Sequence, residues 1–150
     1  MSKQKSNSSS ARALALAGEL RLLISQLKHR LREEAHPGNF TWSQISVLIR
    51  LERDGPATVS ALARAEGVRQ QSMGATISAL EAGGLVSGSP DPSDGRRIIL
   101  SLTEPCRELI KATRAAKEDW LFRAIQTKFS PDEQEKLAAA LELLKRIADA

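Results

Sequence analysis

The sequence predicts a mainly helical fold in which two short helices run directly into a two-stranded hairpin, with long helices before and after. Three observations predict it. Apolar residues recur at helical spacing in six segments, glycines at Gly67 and Gly83-Gly84 punctuate the middle of the chain, and two short apolar runs flank the turn Pro90-Asp91-Pro92-Ser93-Asp94-Gly95.

The elements follow in order. Residues 1–10 hold five serines and two lysines with almost nothing apolar, a composition that cannot offset the entropy of ordering, and they read as a flexible tail. From Ala11 to about Ala35, Leu16, Leu20, Leu23, Ile24, Leu27 and Leu31 form one apolar stripe of a long helix that ends at His36-Pro37-Gly38. Thr41-Trp42-Ser43-Gln44 is a capping-box pattern with Phe40 and Ile45 placed as a hydrophobic staple, so a second helix runs to Asp54, before Gly55-Pro56. Thr58 caps a short third helix that buries Leu62 and Ala63 and stops at Gly67. The fourth begins near Arg69, with Val68, Met73, Ile77 and Leu80 inward and Gln70, Gln71, Gly74, Ala75 and Ser78 outward. Leu85–Ser87 and Ile98–Leu102 read as two strands around a polar tip, Thr103 caps a long fifth helix, and Ser130-Pro131-Asp132-Glu133 opens a sixth. This order is a winged helix-turn-helix with a two-stranded β-wing at 41–102. It is flanked by long N- and C-terminal dimerisation helices at 11–35 and 104–150, within a single domain spanning 11–150.

Bulk properties exclude more than they assert. No run approaches the roughly 18 apolar residues of a membrane span, and the basic, serine-rich start lacks the apolar middle of a signal peptide, so a cytoplasmic location is expected. Cys106 is the single cysteine and only His29 and His36 accompany it, so no internal disulfide and no Cys/His zinc site is available. His29 and Glu33 lie four apart on one helical face, a spacing that can chelate but more often marks a solvated pair, and neither metal nor cofactor is expected. There is no phosphate loop, no nucleophile elbow, no His-Glu-x-x-His and no tyrosine, which argues against an enzyme. The net charge of +4 suggests nucleic acid, yet residues 1–40 carry the whole excess, with seven Lys/Arg against three Asp/Glu. Function must therefore be read from local arrangement.

In a helix-turn-helix, the second helix enters the major groove, where donor and acceptor patterns distinguish all four base pairs. Gln70 and Gln71 stand in its first turn and glutamine pairs bidentately with adenine; Arg69 and Ser72 suit phosphate or base contacts. Ala75, like Gly74, permits close approach, and Ser78 lies on the same outward face. At the hairpin, Asp94 is placed to hold Arg96 by a charged hydrogen bond for entry into the minor groove, and Arg97 to reach phosphate. An Asp-Gly-Arg turn is also common in hairpins whose arginines are merely solvated.

The segment Asp91-Pro-Ser-Asp94-Gly-Arg96-Arg97, followed by Ile-Ile-Leu-Ser-Leu-Thr103-Glu104, resembles the wing of the MarR-type (multiple antibiotic resistance regulator) winged-helix regulators. Leu80-Glu81-Ala82-Gly83-Gly84-Leu85-Val86 is similar to that family's helix-to-wing junction, and the likeness extends over residues 11–149. The resemblance implies a homodimer built from the first and last helices, double-stranded DNA bearing an inverted-repeat operator as partner, and often release by a small aromatic ligand. The apolar stripes of the terminal helices independently invite a partner, unless they pack on each other within one chain.

A winged helix that binds another protein is the rival reading, and salt-dependent DNA binding separates the two. The switch is open between a ligand cleft bordered by His36 or Trp42, the latter otherwise a helix-start packing residue, and redox sensing by Cys106. That thiol lies near a helix N-terminus, where the dipole favours a thiolate; the alternative is a small buried filler.

Overall fold

The computed structural model describes residues 2–36 and 38–149. Its elements are α1 (Ser2–Glu34), α2 (Trp42–Asp54), β1 (Ala57–Thr58), α3 (Val59–Glu66), α4 (Gln70–Ala82), β2 (Val86–Asp91), β3 (Asp94–Leu102), α5 (Glu104–Lys128) and α6 (Pro131–Ala148). They group into two compact units, where the sequence suggested one domain: residues 38–113 form a winged unit, and residues 2–36 with 114–149 a helical one. The division falls inside α5. Residues up to Thr113, expected among the dimerisation helices, belong with the wing because Cys106, Leu109 and Ile110 pack into its core.

In the winged unit, helix starts are set by side chains that satisfy otherwise orphaned backbone groups. The Thr41 hydroxyl accepts from the Gln44 N–H at 3.2 Å and the Gln44 amide oxygen accepts from the Thr41 N–H at 3.0 Å, completing the expected capping box. Thr58 Oγ1 accepts from the Ala61 N–H at 3.1 Å and so starts α3. Gly67, at φ 67°, takes the left-handed conformation that ends α3, and the Val68 N–H donates to the Ala63 carbonyl at 3.0 Å as the chain reverses. Val68 lies in this turn ahead of α4 and is 44% exposed, whereas the sequence pattern had placed it inward. Gly74, expected outward, is half-buried. Met73, Ile77 and Leu80 bury the inner face of α4 as anticipated.

The sheet has three antiparallel strands in the order β1-β3-β2, one more than expected, since β1 is only two residues long. Val86 pairs with Leu102 and Pro90 with Ile98, with an irregularity at Pro90/Asp91. The polar tip is shorter than predicted: the strands continue to Asp91 and Asp94 and leave Pro92-Ser93 between them. Gly88 is required within β2, because a Cβ there would approach Ile98 Cγ2 to 2.7 Å. One core cluster joins Val47, Leu48 and Leu51 of α2, Leu62 and Ala63 of α3, the three residues of α4, Leu85, Val86, Leu100 and Leu102 around the sheet, and Cys106 of α5.

The helical unit is built differently. Neither α1 nor α6 has a buried residue, and Leu14, Leu16, Leu22, Leu23, Ile24 and Leu27 of α1 are exposed, as are Leu141, Leu143, Leu144 and Ile147 of α6. The Arg30 guanidinium stacks 5.4 Å from the Trp120 ring centroid, joining α1 to α5. The helix α1 begins at Ser2, so residues 2–10 of the segment read as a tail continue it as exposed helix. Extending an existing helix adds one hydrogen bond per residue fixed, and that segment contains neither proline nor glycine to stop it. Pro37 of the expected helix stop lies outside the described residues. Ser130 and Glu133 form the second expected capping box, with Pro131 in the first turn. Among the described residues no helix is long and apolar enough to cross a membrane.

A polar brace ties α2 to the end of α3. Glu66 accepts from Arg50 Nε at 2.9 Å and from the Ser46 hydroxyl at 2.9 Å, and Arg50 also faces Asp54 at 3.6 Å. Hydrogen bonding from Arg50 is the main cause holding the Glu66 carboxyl below the usual glutamate range, with Ser46 adding to it against the opposing effect of burial. Because the folded-state pKa is depressed, the brace contributes in full above the unfolded glutamate range and is lost as pH falls through the lower folded value. Glu66→Gln is expected to lower stability at neutral pH by about 1 kcal/mol. The deficit relative to wild type should shrink as denaturant midpoints are followed below the glutamate range.

Candidate nucleic-acid interface

The outer face of α4 begins at Arg69, which is its N-cap but makes no side-chain capping bond, so the first-turn N–H groups have no side-chain acceptor there. A helix start left in this state attracts anions through both its free donors and its dipole. Gln70, Gln71, Ala75 and Ser78 are exposed, as the sequence pattern required, and Ser72 is exposed with them. The two glutamines differ. Gln70 Nε2 donates to the Ser60 hydroxyl oxygen on α3, a contact that sequence reasoning missed because ten residues separate the pair. The Ser72 carbonyl accepts from the Thr76 hydroxyl at 3.2 Å, which turns Thr76 back onto its own helix.

The wing tip is organised by two aspartates that bind backbone, and this corrects the role expected of Asp94. Its Oδ1 accepts from the Arg96 N–H at 3.1 Å, and no bond from Asp94 to the Arg96 guanidinium is formed. Asp91 Oδ1 accepts from the Ser93 N–H at 2.9 Å and from the Ser93 hydroxyl at 2.8 Å. These bonds from Ser93, backbone first, hold the Asp91 carboxyl below the usual aspartate range, with the positive charge of Arg97 adding to the effect. The tip is thus a fixed turn presenting two exposed guanidinium groups, Arg96 and Arg97. Leu80 of α4 and Leu100 of β3 are each about 1% exposed in the same core, so the helix and the wing are mounted on one support.

A family model described as MarR family matches residues 40–98, the span of this helix-turn-helix and wing. An HTH-type transcriptional regulator of Mycobacterium bovis is 35% identical over 134 residues, which cover 89% of this chain and 93% of that protein. The chain belongs to the MarR family of transcriptional regulators. A solved transcriptional regulator from Pseudomonas aeruginosa PA01 is similar at 37% identity and a TM-score of 0.78, covering 93% of this chain and 97% of its own. The fold also matches a MepR mutant of S. aureus bound to an oligodeoxyribonucleotide, at 21% identity and a TM-score of 0.68, over 88% of this chain and 97% of that one.

The remaining candidates of this MarR-family chain fall in different places. Trp42, 64% exposed, lines a cleft of about 290 Å³ in the winged unit with Ser46, Glu66, Val68, Ser72 and Thr76. His36 is exposed and belongs to the helical unit. His29 Nε2 pairs with Glu33 Oε1 at 3.1 Å, and both are exposed, with Arg30 also on Glu33 at 3.4 Å.

Cys106 is completely buried. Its N–H donates to the Thr103 hydroxyl oxygen at 3.2 Å, while the Thr103 hydroxyl donates to the Gly84 carbonyl at 2.6 Å, anchoring α5 beside the start of the wing. Burial pushes the thiol up, and the nearby Glu52 carboxylate adds to this against the opposing charge of Arg107. The direction is opposite to that expected from a helix N-terminus, because desolvation by burial is the largest effect on this thiol. Iodoacetamide is therefore expected to label Cys106 of the native protein at least tenfold more slowly than the same chain in denaturant, as measured by intact mass against time. Equal rates would contradict the buried, protonated thiol.

Proposed function

We propose that this protein is a sequence-specific regulator that binds double-stranded DNA as a homodimer, with α4 in the major groove and the wing in the adjacent minor groove of each half of an inverted repeat. The observation that carries the reading is the common mounting of an uncapped, glutamine-bearing helix and an arginine-tipped wing on one buried core. Arg69, Gln70, Gln71, Ser72, Ala75 and Ser78 face the major groove in this reading, with Ala75 small enough to let the backbone approach. Arg96 enters the minor groove and Arg97 meets phosphate, while Asp94 fixes the tip through backbone. The S. aureus protein of like fold, solved bound to an oligodeoxyribonucleotide, supports the same use of the fold.

Dimerisation is supported by the apolar stripes of α1 and α6. Leu14 is 76% exposed and Ile147 64%, and Leu16, Leu23, Leu141 and Leu144 are exposed with them, the kind of continuous apolar surface that marks an interaction site. A second copy covers such stripes symmetrically and sets two recognition helices at a fixed spacing. In this reading the protein acts as a repressor, and a small aromatic ligand releases it from DNA. The Trp42 cleft supports that part, since an occupant there would bear on Ser72 and Thr76 of α4. The Glu66 carboxylate on its wall favours a neutral or phenolic occupant over an aromatic acid.

Titration of a labelled duplex at rising salt tests the core of this proposal. Affinity is expected to fall linearly on logarithmic axes, and Arg96→Ala to weaken binding roughly 10-fold or more at fixed salt. Arg97→Ala, a phosphate contact, should also flatten the slope by about one per chain. Sedimentation should return twice the 16.3 kDa chain mass. A monomer whose weak duplex binding is insensitive to salt and to both substitutions would refute the reading.

A further inference from the structure

Two adjacent glutamines open the outward face of α4, and they are not equivalent. Gln71 is exposed and makes no side-chain hydrogen bond among the described residues, so its amide is free to adapt. Gln70 is held: its Nε2 donates to Ser60 Oγ. Ser60 is itself fixed, being the second residue of α3 and half-buried, one position before the Ala61 N–H that Thr58 caps at 3.1 Å. The anchor is therefore the start of one helix and the anchored group the start of the next.

An amide nitrogen carries two hydrogens. With one directed at Ser60, the other and Oε1 remain, and these are the donor and acceptor that match N7 and N6 of adenine in the major groove. A free glutamine loses rotamer freedom when it binds, whereas a glutamine already held loses less, so the same base contact yields more discrimination. We infer that Ser60, which need not touch DNA, is a positioning residue that orients the Gln70 amide for adenine, making Gln70 rather than Gln71 the residue that specifies a base. The inference rests on the DNA-binding reading above and adds to it a division of labour between neighbouring side chains.

The test uses the full-length protein and a duplex recovered from a random pool by the wild type, with every base pair of one half-site then replaced singly. Relative affinities are measured for wild type, Ser60→Ala, Ser60→Thr and Gln70→Ala, with melting temperatures recorded beside them. One adenine position is expected to lose its preference in Gln70→Ala. The same position should weaken by about 3- to 10-fold in Ser60→Ala, the worth of one hydrogen bond, and be retained in Ser60→Thr, while other positions keep their ratios. Preference at that position unchanged in Ser60→Ala would overturn the inference, as would a uniform loss at all positions or the absence of any Gln70-dependent position. A wild type that recovers no preferred duplex fails earlier and in a distinguishable way, removing the DNA-binding reading and this inference with it.

Discussion

The fold depends on one packing contact: the inner face of α4 and the buried edge of the wing close on the same small core. Leu80 and Leu100 meet there with Leu62, Val47 and Cys106, all nearly or wholly out of water. Each of these leucines and the valine contributes roughly 1.5–3 kcal/mol by leaving solvent, and the interior tolerates little rearrangement at native packing density. A core that cannot slide holds the recognition helix and the wing at a set separation. The proposed reading uses that separation to set a helix and a hairpin in neighbouring grooves without hinge or adjustment.

Around this core, polar contacts trim position more than they add stability. The Glu66–Arg50–Ser46 brace sets α3 against α2, Ser60 holds Gln70, and the aspartates of the wing close the tip through backbone. Exposed arginines at the tip are then left for a partner instead of being consumed by local ion pairs. Charge follows the same logic, since residues 41–100 are balanced at six against six and any attraction to phosphate comes from placement rather than from net charge.

What could be read from the chain, and what could not, divides by range. Both capping boxes, at Thr41/Gln44 and Ser130/Glu133, and the caps at Thr58 and Thr103 were legible because donor and acceptor lie three residues apart. The outward face of α4 was legible because Met73, Ile77 and Leu80 mark its inner one. The contacts that tune the site were not: Gln70 reaches Ser60 across ten residues, and Glu66 reaches Arg50 across sixteen, with no local pattern to announce them. Short-range logic also misled. Asp94 beside Arg96 suggested a side-chain pair where a backbone bond forms, and Cys106 near a helix start suggested an acidic thiol where desolvation prevails. The extent of α1 to Ser2 escaped composition because helix extension needs no packing.

The two units have unlike requirements. The winged unit buries a core of its own, whereas α1 and α6 leave their leucines in water, where the proposed reading puts a symmetric copy. If that covering is what spaces two recognition helices, symmetry in the protein must be written into the DNA it selects. Selection of bound duplexes from a random pool, followed by sequencing, measures this most directly. Two inverted half-sites with centres about one helical turn apart are the expected outcome; recovery of unrelated duplexes, or of a single half-site without a symmetric mate, would contradict it.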